Sequence, residues 1–187
     1  MKLVIGLGNP DKKYEATWHN LGFLAVTEIQ KQNKLAEFKL EKKFQATVTQ
    51  NTGEQKIILA QPQTYMNNSG QTVKALVNFY KIKPEDILVI HDDIDIPLGK
   101  VRISYDATAA GHKGVQSIIN ELGSQKFYRL RLGIKSEKQG RIPTEDYVLQ
   151  RIDKEAKVIV KKTIQAASEA ANLVLAGRVA EAMNQYN

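Results

Sequence analysis

Apolar residues along this chain recur in two rhythms, and the alternation between the two lays out a fold. Leu3 to Leu7 is a short apolar run stopped by Gly8-Asn9-Pro10, the pattern of a buried first strand that ends in a loop. Asn20 to Gln30 places Leu21, Leu24, Ala25 and Ile29 at helical spacing. Asn68 to Tyr80 repeats that spacing with Val73, Leu76, Val77 and Tyr80, and Pro84 stands just beyond its end. Between these helices, Lys31 to Lys43 is charged and reads as a surface loop. Phe44 to Thr49 reads as an edge strand, and Lys56 to Ala60 as a further short strand ended by Gln61-Pro62. Ile87 to Ile90 is wholly apolar, as expected of a central strand covered on both faces. Lys100 to Tyr105 and Phe127 to Ile134 alternate, which sets Arg102 opposite Val101 and Ile103, and Arg129 and Arg131 opposite Leu130 and Leu132. Asp153 is placed to cap a long helix running to about Ala176, Gly177 is a natural stop, and Val179 to Met183 reads as a short last helix. Strands separated by helices predict an α/β fold: one three-layer domain over residues 1–187, with a twisted mixed sheet flanked by helices.

Composition narrows the class. A chain of 187 residues hides roughly 70% of its unfolded surface. The absence of cysteine removes disulfides and thiolate metal sites. No run of about 18 apolar residues occurs, so no spanning helix is expected. The apolar stretch after Met1 is cut at once by Gly, Asn and Pro and is too short for a signal peptide. These features lead us to expect a soluble, cytoplasmic protein. With 27 basic against 20 acidic residues, the net charge of +7 favours a polyanionic partner.

The unusual chemistry sits in a few short stretches. Gly6-Leu7-Gly8-Asn9-Pro10 leads through Tyr14 to His19-Asn20, and His91-Asp92-Asp93-Ile94-Asp95 follows the central strand. The first is not a dinucleotide fingerprint, because the third glycine is missing and Asp11 would repel a pyrophosphate. It reads either as a plain tight turn or as a narrow loop that presents the Asn9 amide at a strand end, where sites of α/β sheets lie. A histidine near the start and an aspartate at a strand end read as a general base and its orienter, joined only by folding. His19 alone could equally be a cap, and the acidic cluster equally suits a divalent cation such as magnesium. Thr64-Tyr65-Met66-Asn67-Asn68-Ser69-Gly70 is either a capped helix start or a set of donors to a carbonyl or phosphate. Gly111-His112-Lys113-Gly114 precedes a helix and could hold an anion. Lys100, Arg102, Arg129 and Arg131 form a solvated basic face or a track for phosphates.

Taken in order, these stretches resemble the bacterial peptidyl-tRNA hydrolase family. The match comprises Gly6-Leu7-Gly8-Asn9-Pro10, Tyr14, Thr17, His19-Asn20 and Gly22, then Pro62, Thr64-Tyr65-Met66-Asn67 and Ser69-Gly70. It continues with His91-Asp92-Asp93-Ile94-Asp95-Ile96-Pro97, Gly99, Gly111-His112 and Gly114, and ends with Arg129 to Ile134, Tyr147-Val148-Leu149 and Ala182-Met183-Asn184. The resemblance implies a monomeric, single-domain, metal- and cofactor-free enzyme. Such an enzyme hydrolyses the ester between a peptide and the 3′-terminal ribose of tRNA, recycling tRNA as translation quality control. By the same resemblance His19 is the general base and Asp92 its orienter. Asn9 senses the blocked amino group, the Asn67 amide lies near the reacting carbonyl, and Tyr14, Tyr65 and Met66 line the substrate. His112, Lys113, Arg102, Arg129 and Arg131 are expected to hold the acceptor stem and 3′ end of tRNA, without DNA or membrane as partners. Phosphate contacts give affinity without base readout, as an enzyme serving all tRNAs requires.

The chain departs from the family pattern at Asp11, Trp18, Gln61, Ser104, the glycine-poor stretch Asp106 to Ala110, and Lys113. All are expected to flank the cleft, and they motivate an alternative reading: a catalytically weakened RNA-binding paralogue.

Overall fold

The computed structural model describes residues 1–51, 53, 56–136 and 142–187. The first apolar run forms β1 (Lys2–Gly6), and the helix after it is α1 (Leu21–Gln32). Then come β2 (Lys39–Glu41), β3 (Ala46–Gln50), β4 (Ile57–Pro62), α2 (Ser69–Tyr80) and β5 (Ile87–Pro97). β6 (Val101–Tyr105), α3 (Lys113–Leu122), β7 (Tyr128–Lys135), α4 (Thr144–Val148), α5 (Lys154–Leu175) and α6 (Val179–Tyr186) complete the described elements. The strands form one mixed sheet in the order β2-β3-β4-β1-β5-β7-β6. β4, β1, β5 and β7 run parallel, and the antiparallel pairings β2–β3, β3–β4 and β6–β7 lie towards the two edges.

The strand alternation divides the core in two. Val4, Leu59, Leu88, Ile90, Leu130 and Leu132 pack with α1, α5 and α6 on one face. Leu3, Ile5, Ile58, Ala60, Ile87 and Val89 pack with α2 and α3 on the other. Successive strand residues point to opposite faces, so an unbroken apolar run is what a strand covered on both sides requires. Asp153 caps α5 by accepting from the Ala156 amide at 2.8 Å, and Gly177 ends it at φ +77°.

Several expectations shift. The segment 31–43 contains a three-residue strand, β2, whose Leu40 is exposed and therefore leaves no apolar signature. β2 takes the edge, so β3 is the second strand rather than an edge strand. β5 does not end at Ile90 but runs on through His91, Asp92 and Asp93, which pair in register with Arg131, Leu132 and Gly133 of β7. The acidic cluster is thus inside the sheet, not beyond it. α4 carries too few residues to show a period, and α6 extends past Met183 to Tyr186.

One close approach positions the site. A side chain on Gly22 would stand 2.3 Å from both the Ile90 carbonyl oxygen and the Leu7 nitrogen, and one on Gly6 would stand 2.3 Å from the Gly22 carbonyl oxygen. Bare backbone at both positions lets the start of α1 rest directly on the ends of β1 and β5. The Leu7 amide donates to Ile90 at 2.9 Å, and the Phe23 amide to Leu7 at 3.2 Å, tying the three elements together.

Candidate active site

The parallel strands bring their carboxyl ends to one side of the sheet, and an open groove of about 820 Å³ lies there. Its lining comes from the turn after β1, the turn before α1, the turn after β4, the end of β5, the segment before α3, and α4. Asn9, His19, Tyr65, Met66, Asn67 and Asp92 are all part of it.

His19 sits on a single 3-10 turn, Trp18–Asn20, that leads into α1. Asn20 holds that turn to the loop after β1: it accepts from the Asn9 amide at 2.9 Å and donates to the Asn9 carbonyl at 3.0 Å. His19 Nδ1 lies 3.0 Å from both carboxylate oxygens of Asp92, a contact spanning 73 positions of the chain. Asp92 also meets His112, whose Nε2 is 3.1 Å from Oδ1. His91 completes the group, its ring centroid 4.6 Å from that of His112. Two of the three histidines of the chain therefore meet the Asp92 carboxylate, and the third packs against one of them.

Hydrogen-bond accounting assigns the protons. His112 Nδ1 accepts from the Gly114 and Val115 amides at the start of α3, at 3.2 and 3.3 Å, so it carries no proton. The proton of neutral His112 is then on Nε2 and is donated to Asp92. The carboxylate is acceptor-only when ionised, so His19 Nδ1 also donates to it. That tautomer leaves His19 Nε2 with a free lone pair. Burial alone would raise the Asp92 carboxyl, but His19 and His112, by charge and hydrogen bond, outweigh it and hold Asp92 well below the usual carboxylate range.

His91 is buried and donates Nδ1–H to the Asp92 carbonyl at 2.6 Å, while its Nε2 has no partner among the described residues. Burial, with the His112 ring against it, pushes its pKa well below the ordinary value, so the folded form is neutral. The unfolded chain protonates this residue as pH falls below about 6.5, while the folded chain resists, so acidification favours unfolding. Urea-denaturation midpoints should hold above about pH 7 and fall as the pH drops below about 6.5, and His91→Asn should flatten that decline. A parental midpoint that rises on acidification would contradict the buried neutral ring.

The remaining expected site residues fall into two groups. Asn9 Oδ1 accepts from the Met66 amide at 2.9 Å, which turns the Asn9 NH₂ away from that bond. Met66 packs against Gly114, where an added side chain would lie 2.4 Å from its sulfur. Asn67 is exposed on the 3-10 turn Met66–Asn68. Tyr65 lines the groove and donates its hydroxyl to Asp11 at 3.0 Å. Lys113 lines the groove and pairs with Glu145 at 3.1 Å. Tyr14, by contrast, lies outside the groove lining and carries Lys13 over its ring at 4.8 Å.

The expected basic residues Arg102, Arg129 and Arg131 share one face of the β6–β7 pair, but they are not all solvated there. Arg102 is exposed on β6, directly opposite Arg131 on β7. Arg131 is partly exposed and donates Nε–H to Asp93 at 2.8 Å. Arg129 is buried, and its guanidinium donates to the Ala107 and Thr108 carbonyls. β7 is an interior strand, and the segment 106–110 folds over Arg129. Burial and the neighbouring Arg131 lower the Arg129 pKa to about 10, which keeps it charged at neutral pH.

The departures from the family pattern do not all flank the cleft either. Trp18 is buried and stacks on Tyr147, rings 6.1 Å apart and 13° from parallel. Gln61 donates to the Phe23 carbonyl and to Thr27 Oγ1, at 3.1 and 3.0 Å. Asp106 and Ala110 adopt φ +49° and +46°, the left-handed region that favours glycine. Of the substituted positions, Ala110 and Lys113 reach the groove lining.

The acidic residues do not converge on a common cation position. Asp92 accepts from two imidazoles, while Asp93 accepts from Arg131 and from the Asp95 amide. His19, Asp92 and His112 offer ligand-type atoms within 4.8 Å of one another, but those atoms face each other as donors and acceptor.

A histidine with a free lone pair, an ionised carboxylate bonded to it and flanking amides have the chemistry to activate a water beside the groove. The family model for peptidyl-tRNA hydrolase matches residues 3–187. The chain belongs to the peptidyl-tRNA hydrolase family. A peptidyl-tRNA hydrolase from Lachnoclostridium phytofermentans is 41% identical over 189 residues, covering 100% of this chain and 97% of that protein. One from Bacillus cytotoxicus is 42% identical over 189 residues and covers 100% of both chains. The crystal structure of the Acinetobacter baumannii peptidyl-tRNA hydrolase superposes with a TM-score of 0.90 at 32% identity, over 100% of this chain and 94% of that one. Membership as a hydrolase extends to the whole α/β architecture, and among the described residues no helix is long and apolar enough to cross a membrane.

His91, Glu145 and Asn20 are site residues to which the sequence reading gave no role. Scarcity of histidine was the one available signal: three in the whole chain, each beside a motif.

Proposed function

We propose that this chain hydrolyses the ester joining a peptide to the 3′-terminal ribose of tRNA, with His19 as general base. The single observation behind the assignment is the His19–Asp92 contact at 3.0 Å beside the open groove. In this reading His19 Nε2 takes a proton from water and the resulting hydroxide adds to the ester carbonyl. The C–O bond to ribose then breaks, and the proton passes to the ribose oxygen. Asp92 holds the tautomer and stabilises the protonated imidazole. The Asn67 amide donates to the developing oxyanion, an effect worth about 10²–10³-fold. The Asn9 NH₂ meets the acylated amino end of the residue being released. Tyr65 and Met66 form the groove walls along the peptide, and Tyr14 supports the Asp11–Tyr65 corner. Arg102 and Arg131 supply phosphate contacts, Lys113 and the His112 segment bind the 3′ end, and Arg129 acts through the segment it holds. The protein works as a single-domain monomer in the cytoplasm, on tRNA and not DNA.

A weakened RNA-binding paralogue is not favoured. The base, its orienter, Asn9 and Asn67 all reach the groove, while Trp18 stacks on Tyr147 and Gln61 bonds to Phe23 and Thr27 away from it. Single-turnover assay on N-acetylaminoacyl-tRNA tests the assignment. Release of the acylated amino acid, undiminished after EDTA treatment, is expected. Loss of activity restored by magnesium would move the carboxylates into a metal role, and no cleavage at all would remove the enzymatic reading.

A further inference from the structure

Lys113 and Glu145 stand on different walls of the groove. Lys113 opens α3 beside His112, and Glu145 belongs to α4. Their charged atoms lie 3.1 Å apart, yet the side chains remain 65% and 69% exposed. An ion pair so exposed contributes at most a factor of roughly two to five, so a competing anion readily replaces one partner. The other groove carboxylates with strong donors keep them: Asp92 has two imidazoles, and Asp93 has Arg131. Lys113 is the sole lysine or arginine among the described groove-lining residues. The nucleotide that carries the scissile ester brings its own 5′-phosphate into this groove, and a lysine ammonium suits it as a point charge.

We propose that Glu145 is a specificity-determining residue: it occupies Lys113 in the free enzyme and yields it to the 5′-phosphate of the nucleotide bearing the ester. The inference rests on the hydrolase reading above. Lys113 is paired before binding, so the phosphate must displace the Glu145 carboxylate to reach the ammonium. An ester without that phosphate leaves the pair intact and gains nothing from Lys113. Glu145 therefore competes with the phosphate and tempers the preference that Lys113 gives to phosphate-bearing esters over simpler ones.

Steady-state kinetics of Glu145→Gln, Lys113→Met and the double variant test this on N-acetylaminoacyl-tRNA and on the same ester of bare adenosine. Glu145→Gln is expected to lower KM for the tRNA substrate roughly two- to fivefold with kcat unchanged. KM should also rise more steeply with salt, because an unpaired Lys113 now exchanges a counterion for the phosphate. The kcat/KM for the adenosine ester should not move, and in the Lys113→Met background Glu145→Gln should have no effect. An unchanged or raised KM in Glu145→Gln overturns the proposal. So does an equal fall with Lys113 replaced, which would mark a general field of the carboxylate. Failure of the parental enzyme to cleave the tRNA substrate would instead remove the hydrolase reading on which the proposal stands.

Discussion

His19→Ala should reduce single-turnover release from N-acetylaminoacyl-tRNA by about 10²–10⁴-fold, the usual share of a positioned general base. Binding of deacylated tRNA should stay close to parental. The reason is geometric. His19 presents little surface, its side chain being 11% exposed, and Nδ1 is committed to Asp92. What alanine removes is chiefly the lone pair on Nε2. Added imidazole should restore part of the rate, because the vacated space adjoins the groove and Asp92 remains to orient a replacement ring. A variant that cleaves at the parental rate would take the base assignment away from His19. Loss of tRNA binding in parallel with rate would show instead that the residue holds the substrate.

Asp92→Asn should produce a loss of comparable size, about 10²–10⁴-fold in kcat with little change in KM, for a different reason. His112 can only donate from Nε2, since the α3 amides occupy Nδ1. The carbonyl oxygen of the substituted amide must therefore turn to His112, and its NH₂ then faces His19. An NH₂ facing Nδ1 demands an acceptor there, which moves the imidazole proton to Nε2. The base then presents a proton where it needs a lone pair. Nitrogen-15 spectra of the imidazole rings read this directly: the protonated nitrogen of His19 should switch from Nδ1 to Nε2. A variant with parental kcat, or with an unchanged tautomer and a lowered rate, would show that the carboxylate acts otherwise than by orientation.

These two expectations concern residues visible in the sequence, joined by a contact that is not. His19 and Asp92 were legible as chemistry because few residue types accept a proton near neutral pH and because a carboxylate after an apolar strand is costly unless it is used. The pair itself depends on Gly6 and Gly22, whose missing side chains let α1 sit on β1 and β5. The ordered motifs carried the family, and the strand and helix rhythms carried the architecture. Arg129 shows the limit of that reading. Alternation correctly put it opposite Leu130, but the face opposite a core can itself be covered, here by the segment 106–110. Trp18 and Gln61 show the same limit, since sequence order places them beside site residues while packing turns their side chains elsewhere.

Local sequence determined what local physics governs: strand against helix, the Asp153 cap, the glycine stop, and which residue types could do acid–base work. Tertiary structure alone decided how protons and charges are shared. The free lone pair on His19 follows from Asp92, whose second partner is His112, whose own tautomer is set by two amides of α3. Each link joins segments far apart in the chain, and hydrogen-bond direction has no periodic signature along a sequence. It exists only once the donors and acceptors have been folded into reach.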